Sequence, residues 1–314
     1  MLLSVTLNPS VDHALFLSEL KVGDTNRVTR TERDAGGKGV NLSRVFAEMG
    51  GETIASGFLG GGTGAYVRGV LEAQGVRHNF VETAGETRLN FSVEDESRGK
   101  PTTFNERGPQ ISPEEWDALL AKVDMLAGGC EWATIGGSLP PGVPGDAYRI
   151  LGERLRGHRC KVLLDADGNP LREGLAGRPT MIKPNDPEAS RLLNRKVESD
   201  EEAIGAARSL YEMLGRGEAI AVLSRGAAGA VMTLASGTYV GRSPKVEARS
   251  TIGSGDSLLG AMLWSLTRGD APEAALRWGL AAGAATALTD GSEIARRQVV
   301  ERLYADASVA RLQI

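Results

Sequence analysis

Short apolar runs alternate with amphipathic stretches along most of the chain. LLSVTL (2–7), TIASGFL (53–59), WATIGG (132–137), KVLLDA (161–166), TMIKP (180–184) and AIAVLS (219–224) are brief and rich in β-branched or other apolar residues. Runs of that length predict buried strands. Between them, GVNLSRVFAEMG (39–50) sets Leu42, Val45, Phe46 and Met49 on one helical face that ends at Gly50. ISPEEWDALLAKVDML (111–126) opens with Ser112 as N-cap, Pro113 behind it and Glu115 closing a capping box. Trp116, Leu119, Leu120 and Val123 then line one face. DEEAIGAARSLYEML (200–214) repeats the pattern with Ile204, Ala207, Leu210 and Tyr211. This alternation predicts an α/β fold, a mostly parallel sheet with helices on both sides.

Two stretches break the rhythm. Residues 10–35 and 87–107 alternate with period two between charged turns, and ESRGK (96–100) marks a hairpin turn. They predict extra strands away from the main sheet, whose open face needs covering by substrate, by another chain, or by both. No internal repeat or low-complexity linker is present, so residues 1–314 are expected to form one main domain with a β appendage.

Composition narrows the function. The 314 residues are about two-fifths apolar and 24% charged, with a formal net charge of −4. A nucleic-acid or membrane-surface protein needs a basic footprint, which is missing. Cys130 and Cys160 are far apart in sequence and form no CxxC, which fits a reducing cytoplasm and argues against a disulfide framework. His13, His78 and His158 form no HxxxH pair and read as surface or packing residues. Asn8-Pro9 interrupts the first apolar run, which lacks a basic leader, so it is not a signal peptide. No stretch approaches the roughly 20 apolar residues of a membrane span.

Candidate chemistry sits at glycine clusters. In STIGSGDSLLGAML (250–263) small polar residues give way to a helical stripe of Leu258, Leu259, Met262, Leu263 and Leu266, with Arg268 in the last turn and Gly269 after it. The helix is expected to begin at or near Gly255-Asp256. Gly253 and Gly255 leave amides uncovered at the positive end of its dipole, an arrangement suited to an anion. Asp256 beside such a pocket suits a general base for phosphoryl transfer, and on this stretch alone it suits an N-cap equally well. AGGKGVN (35–41) is not a Walker loop, because the pattern would need Gly at Glu32 and Ser or Thr at Gly39. GGGTGA (60–65) contains GxGxxA after a strand-like run and is expected to be a glycine-rich connection into a helix over 64–75 rather than a dinucleotide fingerprint.

Taken in order, LNPSVD (7–12), AGGKGVN (35–41), TRLN (87–90), GSLPPG (137–142), KPNDPE (183–188), SRGAAG (224–229) and STIGSGDS (250–257) resemble the ribokinase-like, PfkB-type sugar kinases. The phosphosugar branch of 1-phosphofructokinases and tagatose-6-phosphate kinases is the most similar. The likeness runs from Leu2 to about Thr289. It implies a three-layer α/β/α domain with a mostly parallel central sheet and a small β-sheet lid, formed from about 10–35 and 87–107, that supplies a homodimer interface. ATP and Mg²⁺ are implied as nucleotide and metal.

By the same resemblance Asp256 is the base and the amides of Gly253, Ser254, Gly255 and Asp256 form an anion hole. Asp12, Gly37, Lys38 and Asn41 match sugar-binding positions, Arg88 and Asn90 match lid residues near the substrate, and Ser138 lies near its phosphate. Arg27 is a further lid cation able to hold that phosphate. Lys183, Asn185, Ser224, Gly226, Gly229 and Gly283 match the nucleotide side, with Glu188 organising a hydrated magnesium ion. Structural roles stand beside these. Lys38 and Arg27 suit solvated lid charges, Asn185 and Glu188 a capping box, and Gly226 and Gly229 a hairpin turn. DADGNPL (165–171) departs from the branch by placing Asp167 where small hydroxyl residues are usual, and a carboxylate there would repel a phosphosugar. LNPSVD with GGKG is most similar to fructose-1-phosphate 6-kinases, while GDTNRV (23–28) leans towards tagatose 6-phosphate. A non-catalytic sugar-phosphate or nucleotide sensor on a kinase fold is a third possibility.

Overall fold

The computed structural model describes residues 1–95, 97 and 101–312. The chain enters at β1 (Leu2–Thr6), passes into a smaller sheet as β2 (Ser10–Leu17) and β3 (Arg30–Gly36), and returns through α1 (Lys38–Glu48) to β4 (Thr53–Leu59). Helix α2 (Gly61–Ala73) and the short strands β5 (Arg77–His78) and β6 (Val81–Glu82) follow, before β7 (Arg88–Asp95) and β8 (Thr102–Asn105) rejoin the small sheet. Alternation then sets in: α3 (Pro113–Ala127), β9 (Trp132–Gly136), α4 (Ala147–Gly157), β10 (Lys161–Asp165), α5 (Gly168–Gly174), β11 (Met181–Ile182), α6 (Asp186–Leu193), α7 (Asp200–Met213) and β12 (Ile220–Ser224). The chain closes with β13 (Ala230–Leu234), β14 (Gly237–Arg242), α8 (Ser254–Thr267), α9 (Pro272–Ala287), α10 (Arg297–Tyr304) and β15 (Ser308–Leu312).

The main sheet runs β15-β14-β13-β12-β11-β10-β9-β1-β4-β5, with β6 also on β4. It is parallel from β12 to its β5 edge and antiparallel from β12 to β15. Successive strand residues feed opposite faces. Leu2, Trp132 and Leu163 pack with α1, α8, α9 and α10 on one side. Leu3, Ala133 and Leu164 pack with α3, α4 and α7 on the other. Strands buried on both faces explain why the sequence shows continuous apolar runs rather than alternation. The predicted three layers follow.

The small sheet, ordered β3-β2-β7-β8, is rooted at one end of the main sheet. β2 begins shortly after β1 ends, β3 runs into α1, and β7 starts beside Thr87, whose Oγ1 accepts from Gly60 N after β4 at 3.0 Å. The departures after β1 and β4 are carboxyl ends of parallel strands. Strand order also reverses there, since the chain moves from β1 to β4 on one side and later fills β9 to β12 on the other. In open α/β sheets that switch point is where ligands bind.

Three helices carry capping boxes, at Ser112–Glu115, Asn185–Glu188 and Ser199–Glu202. Two local expectations change. Helix α2 starts at Gly61 rather than 64, because Glu86 reaches its first turn and accepts from Gly62 N and Thr63 N, both at 3.1 Å. The cap is distant in sequence, so no local signal announced it. The antiparallel β13–β15 extension was likewise not anticipated. Of the ESRGK turn only Ser97 lies among the described residues, and the flanking β7 and β8 pair antiparallel from Asn90↔Asn105 to Val93↔Thr102. Replacing Ser112 by Ala should lower the unfolding free energy by about 1 kcal/mol in urea. An unchanged midpoint would show that α3 does not depend on its cap.

Candidate active site

Buried polar side-chain atoms without a partner collect at the carboxyl edge of the sheet. Among the described residues they are Thr6 Oγ1, Asn8 Oδ1, Asn90 Oδ1, Thr134 Oγ1, Asp165 Oδ2, Asp186 Oδ1, Ser254 Oγ and Arg277 Nε. All but the last belong to β1, β9 and β10 or the residues following them, to the lid, or to the first turns of α6 and α8. Unpaired buried groups are few in folded proteins, and a cluster of them marks a place built for a ligand or ordered water.

At α8 the backbone is shaped for an anion. Gly253 is the N-cap with φ 74, a left-handed value that disfavours a side chain. Among the described residues no acceptor takes the amides of Gly253, Gly255 or Asp256, and the Ser254 amide is held only loosely, 3.4 Å from Thr251 O. Asp256 is not the N-cap and caps nothing. It lies at the third helical position, where its Oδ2 accepts from Asn41 Nδ2 at 3.0 Å. Burial pushes its pKa up to about 6, opposed by Lys38, raised further by the charge of Asp165, and opposed also by Asn41 and Lys183. Lys183 reaches the same turn. A Cβ on Gly255 would stand 3.3 Å from its Nζ, so only a bare backbone leaves the ammonium this close.

Beneath this turn Asp165 ends β10. Its Oδ1 takes Lys38 Nζ at 2.9 Å and lies 3.6 Å from Lys183 Nζ, with Asp165 and Lys183 both buried. Burial opposes ionisation, but the two ammoniums hold Asp165 below the usual carboxylate range. Burial likewise works against the charge on Lys38, yet Asp165 and Asp256 hold its pKa well above the ordinary lysine value. The sequence argument passed over Asp165 and weighed Asp167. The available signal was a carboxylate closing an otherwise apolar strand at the same edge as the motifs. Asp167 is exposed, caps α5 through Gly168 N, and is forked by Arg191 at 2.9 and 2.8 Å, so its charge is paired.

The lid side holds a second group. Asp12 Oδ1 accepts from Ser10 Oγ at 2.8 Å and Asn90 Nδ2 at 2.9 Å. Gly36 faces it so closely that a Cβ would sit 2.3 Å from the carboxylate. Arg88 donates to the carbonyls of Asn8 (3.2 Å) and Glu106 (3.1 Å), and among the described residues no carboxylate pairs with it. Burial lowers its pKa, and the charges of Asp12 and Glu106 offset this only in part. Asn8 also donates to Ser138 Oγ at 3.1 Å, so Arg88 and Ser138 meet at the end of β1. A cavity of about 520 Å³ lies between the inner lid face, including Asp12, Glu32 and Asn90, and the segment Asp290–Glu293. Gly37 is the N-cap of α1, from which Lys38 and Asn41 project. Arg27 is exposed on the loop between β2 and β3, and no hydrogen bond brings it to the others.

On the opposite side Asn185 and Glu188 do form their capping box, at 2.9 and 2.8 Å. Glu188 spends Oε2 on it, and among the described residues no hydrogen bond takes Oε1. Among the described residues no three His, Cys, Asp or Glu side chains are grouped to enclose a metal ion. The Glu188 carboxylate, bonded through Oε2 to its cap, has the hard oxygen donor that suits a hydrated magnesium ion held through water. Ser224 bridges to Asn185, and its amide donates to Pro184 O at 3.0 Å. Gly226 and Gly229 shape the β12–β13 turn, and Arg225 ties that turn to Asp186 and Asp200. Gly283 packs α9 onto α8, where an added Cβ would lie 3.1 Å from Ser254 O. His78 and His158 pair with Glu72 and Asp124 away from this centre, whereas His13 packs beside Phe91 and with it lines the lid cavity.

Known proteins fit this geometry. The sequence profile of the pfkB family of carbohydrate kinases matches residues 5–297. A 1-phosphofructokinase of Borreliella burgdorferi is 35% identical over 292 residues, 92% of each chain. That of Bacillus subtilis is 31% identical over 312 residues, 99% of this chain and 100% of the relative. Phosphofructokinase-2 of Escherichia coli, solved in complex with substrates and products, superposes with a TM-score of 0.89 at 30% identity, covering 97% of this chain and 98% of that one. If Asp165 anchors the two lysines, Asp165→Asn should destabilise the protein by about 3 kcal/mol, the cost of leaving buried charge uncompensated. Asp167→Asn, at an exposed pair, should change stability little. Equal effects in urea titration would overturn that assignment.

Proposed function

The chain belongs to the pfkB family of carbohydrate kinases, and we propose that it transfers the γ-phosphoryl of ATP to fructose 1-phosphate, giving fructose 1,6-bisphosphate. It is a phosphotransferase with an alcohol acceptor, and ATP is its phosphoryl donor. The observation that carries the proposal is the pairing of an elevated carboxylate, Asp256, with unbonded amides in the same helical turn and Lys183 beside them. Phosphoryl transfer needs an aligned nucleophile and a cradle for charge more than covalent help. Asp256 takes the proton of the 6-hydroxyl as it attacks. The amides of Gly253, Gly255 and Asp256, with Lys183, receive the charge that develops on the phosphoryl oxygens. Ser254 completes the turn.

Arg88 and Ser138 hold the substrate phosphate at the far end, and Asp12 and Asn90 hold sugar hydroxyls between. The acidic lining of the lid cavity repels a phosphate, which favours the Arg88 end for it. Asn185, Ser224, Gly226, Gly229 and Gly283 frame the nucleotide. Magnesium, held through water by Glu188, supplies charge neutralisation on the ATP phosphates when bound. The curated relatives at 31–35% identity are 1-phosphofructokinases, which favours fructose 1-phosphate over tagatose 6-phosphate. An intact base and open amides argue against a non-catalytic sensor.

Residues 1–314 act in this proposal as one kinase unit whose small sheet is both lid and dimer contact. Val28 (41% exposed) and Phe104 (58%) stand on that sheet's connecting loop and edge, apolar surface that suits a second copy. Both cysteines are free, which suits the reducing cytoplasm proposed for this enzyme. No helix among the described residues is long and apolar enough to cross a membrane.

Five outcomes test this. Asp256→Asn should lose at least about 100-fold in turnover while still binding ATP. Side by side, kcat/KM should favour fructose 1-phosphate over tagatose 6-phosphate, and the reverse would reassign the substrate. Turnover should fall below an acid limb near pH 6, where Asp256 becomes protonated and cannot accept a proton. Lys38→Met should move that limb to higher pH, because the cation that favours ionised Asp256 is gone. A limb that stays in place would separate Lys38 from the base. In solution the chain should have a dimeric mass, and Phe104→Glu should make it monomeric.

A further inference from the structure

The mechanism leaves one buried cation unused. Arg44, on α1, has a side chain only 1% exposed. Its Nη2 bonds both oxygens of Asp34 at 2.8 and 2.9 Å, Nη1 the Ala35 carbonyl at 2.8 Å, and Nε the Gln74 amide oxygen at 2.8 Å. Its remaining near neighbour is Asn41 Oδ1, 3.5 Å from Nη1. We propose that Arg44 is a positioning residue that orients the amide of Asn41 towards Asp256 and links the root of the lid to the base.

The argument is one of polarity. Asn41 lies one turn before Arg44 on the same helical face and is buried, so water does not compete for its amide. An amide has a donor end and an acceptor end. With Oδ1 facing a guanidinium, Nδ2 is the end left for Asp256, and it is found there at 3.0 Å. The flipped amide would set N–H groups against the guanidinium and a carbonyl oxygen against the carboxylate. Asp34, which holds Arg44, is on lid strand β3 directly opposite Asp12 on β2. A continuous chain therefore runs from Asp34 through Arg44 and Asn41 to Asp256. The other charges facing Asp256 are Lys38 from α1, Asp165 from β10 and Lys183 beyond β11. Donation from Asn41 favours the ionised base, so losing it moves the base to higher pKa.

This inference rests on Asp256 being the base. The test is the pH dependence of kcat for the wild type, Arg44→Lys, Asn41→Ala, the double variant and Asp256→Asn. Lysine keeps a positive charge beside Asp34 but cannot fork to all the partners of Arg44. Arg44→Lys should lower kcat by about tenfold or more, move the acid limb to higher pH and leave KM for ATP unchanged. Asn41→Ala should move the limb the same way, and adding Arg44→Lys to it should move it no further. A merely structural Arg44 would lower the melting temperature with the limb in place, and that result, or additive shifts, overturns the proposal. If Arg44→Lys fails to fold, the charge-balanced pair Arg44→Met with Asp34→Asn takes its place with the same expected shift. Turnover retained by Asp256→Asn would instead remove the base assignment itself.

Discussion

A carboxylate sealed between two ammoniums organises the centre of this protein. Asp165 is buried at the end of β10, where ionisation alone would be costly, and it stays charged because Lys38 and Lys183 flank it. The lysines come from different elements, one opening α1 and the other leaving β11. The interaction thus fixes the first turn of a helix against the ends of two parallel strands. It also sets the electrostatics of Asp256, which is held between the like charge of Asp165 and the two opposing cations. An acid alone in that position would be pushed higher, and one with both lysines free to pair with it would be held lower. The arrangement leaves it near 6, close to where a base at neutral pH is useful.

The same constraint explains why the lid is attached where it is. β2, β3 and β7 leave or enter the main sheet at the edge where Asp165 sits, so the lid side chains proposed to face the sugar and the sheet groups proposed to face the phosphoryl group meet at that edge. Close backbone approach maintains this. Gly36 admits the Asp12 carboxylate, and Asn8 at the end of β1 serves both Arg88 and Ser138. In the proposed mechanism the substrate phosphate and the attacking hydroxyl are held by groups hung on rigid strand ends rather than on a long loop.

What was legible in the sequence follows from what is local. The apolar runs became β1, β4, β9, β10, β11 and β12, and the Ser112 box capped α3, because periodicity and capping are set within a few residues. Asn185 and Glu188 form the capping box offered as their structural role, and the magnesium role proposed for Glu188 does not compete with it. The capping box uses Glu188 Oε2 and leaves Oε1 uncommitted. What was not legible depends on distant partners. Asp165 looked like the last residue of a strand, since its meaning comes from lysines far away in sequence on either side. The start of α2 was misplaced because its cap is Glu86, and Arg44 went unweighed because its partners are on β3 and at the end of α2.

Two glycine-rich helix starts in one chain show what separates a scaffold from a site. Both α2 and α8 open on glycines that leave backbone amides uncovered. At α2 the amides of Gly62 and Thr63 are occupied by the protein's own Glu86 carboxylate, and a dinucleotide phosphate would have to displace it against like charge. At α8 no carboxylate closes the turn. The acid carried on that turn, Asp256, points to Asn41 instead, and Lys183 adds positive charge beside Gly255. Glycine spacing alone is similar in the two places, as is the helix dipole. The difference lies in whether folding satisfies the amides. Where it does, the glycines serve packing; where it leaves them open beside a lysine and a poised carboxylate, the unfilled hydrogen bonds are available to a transferring phosphoryl group.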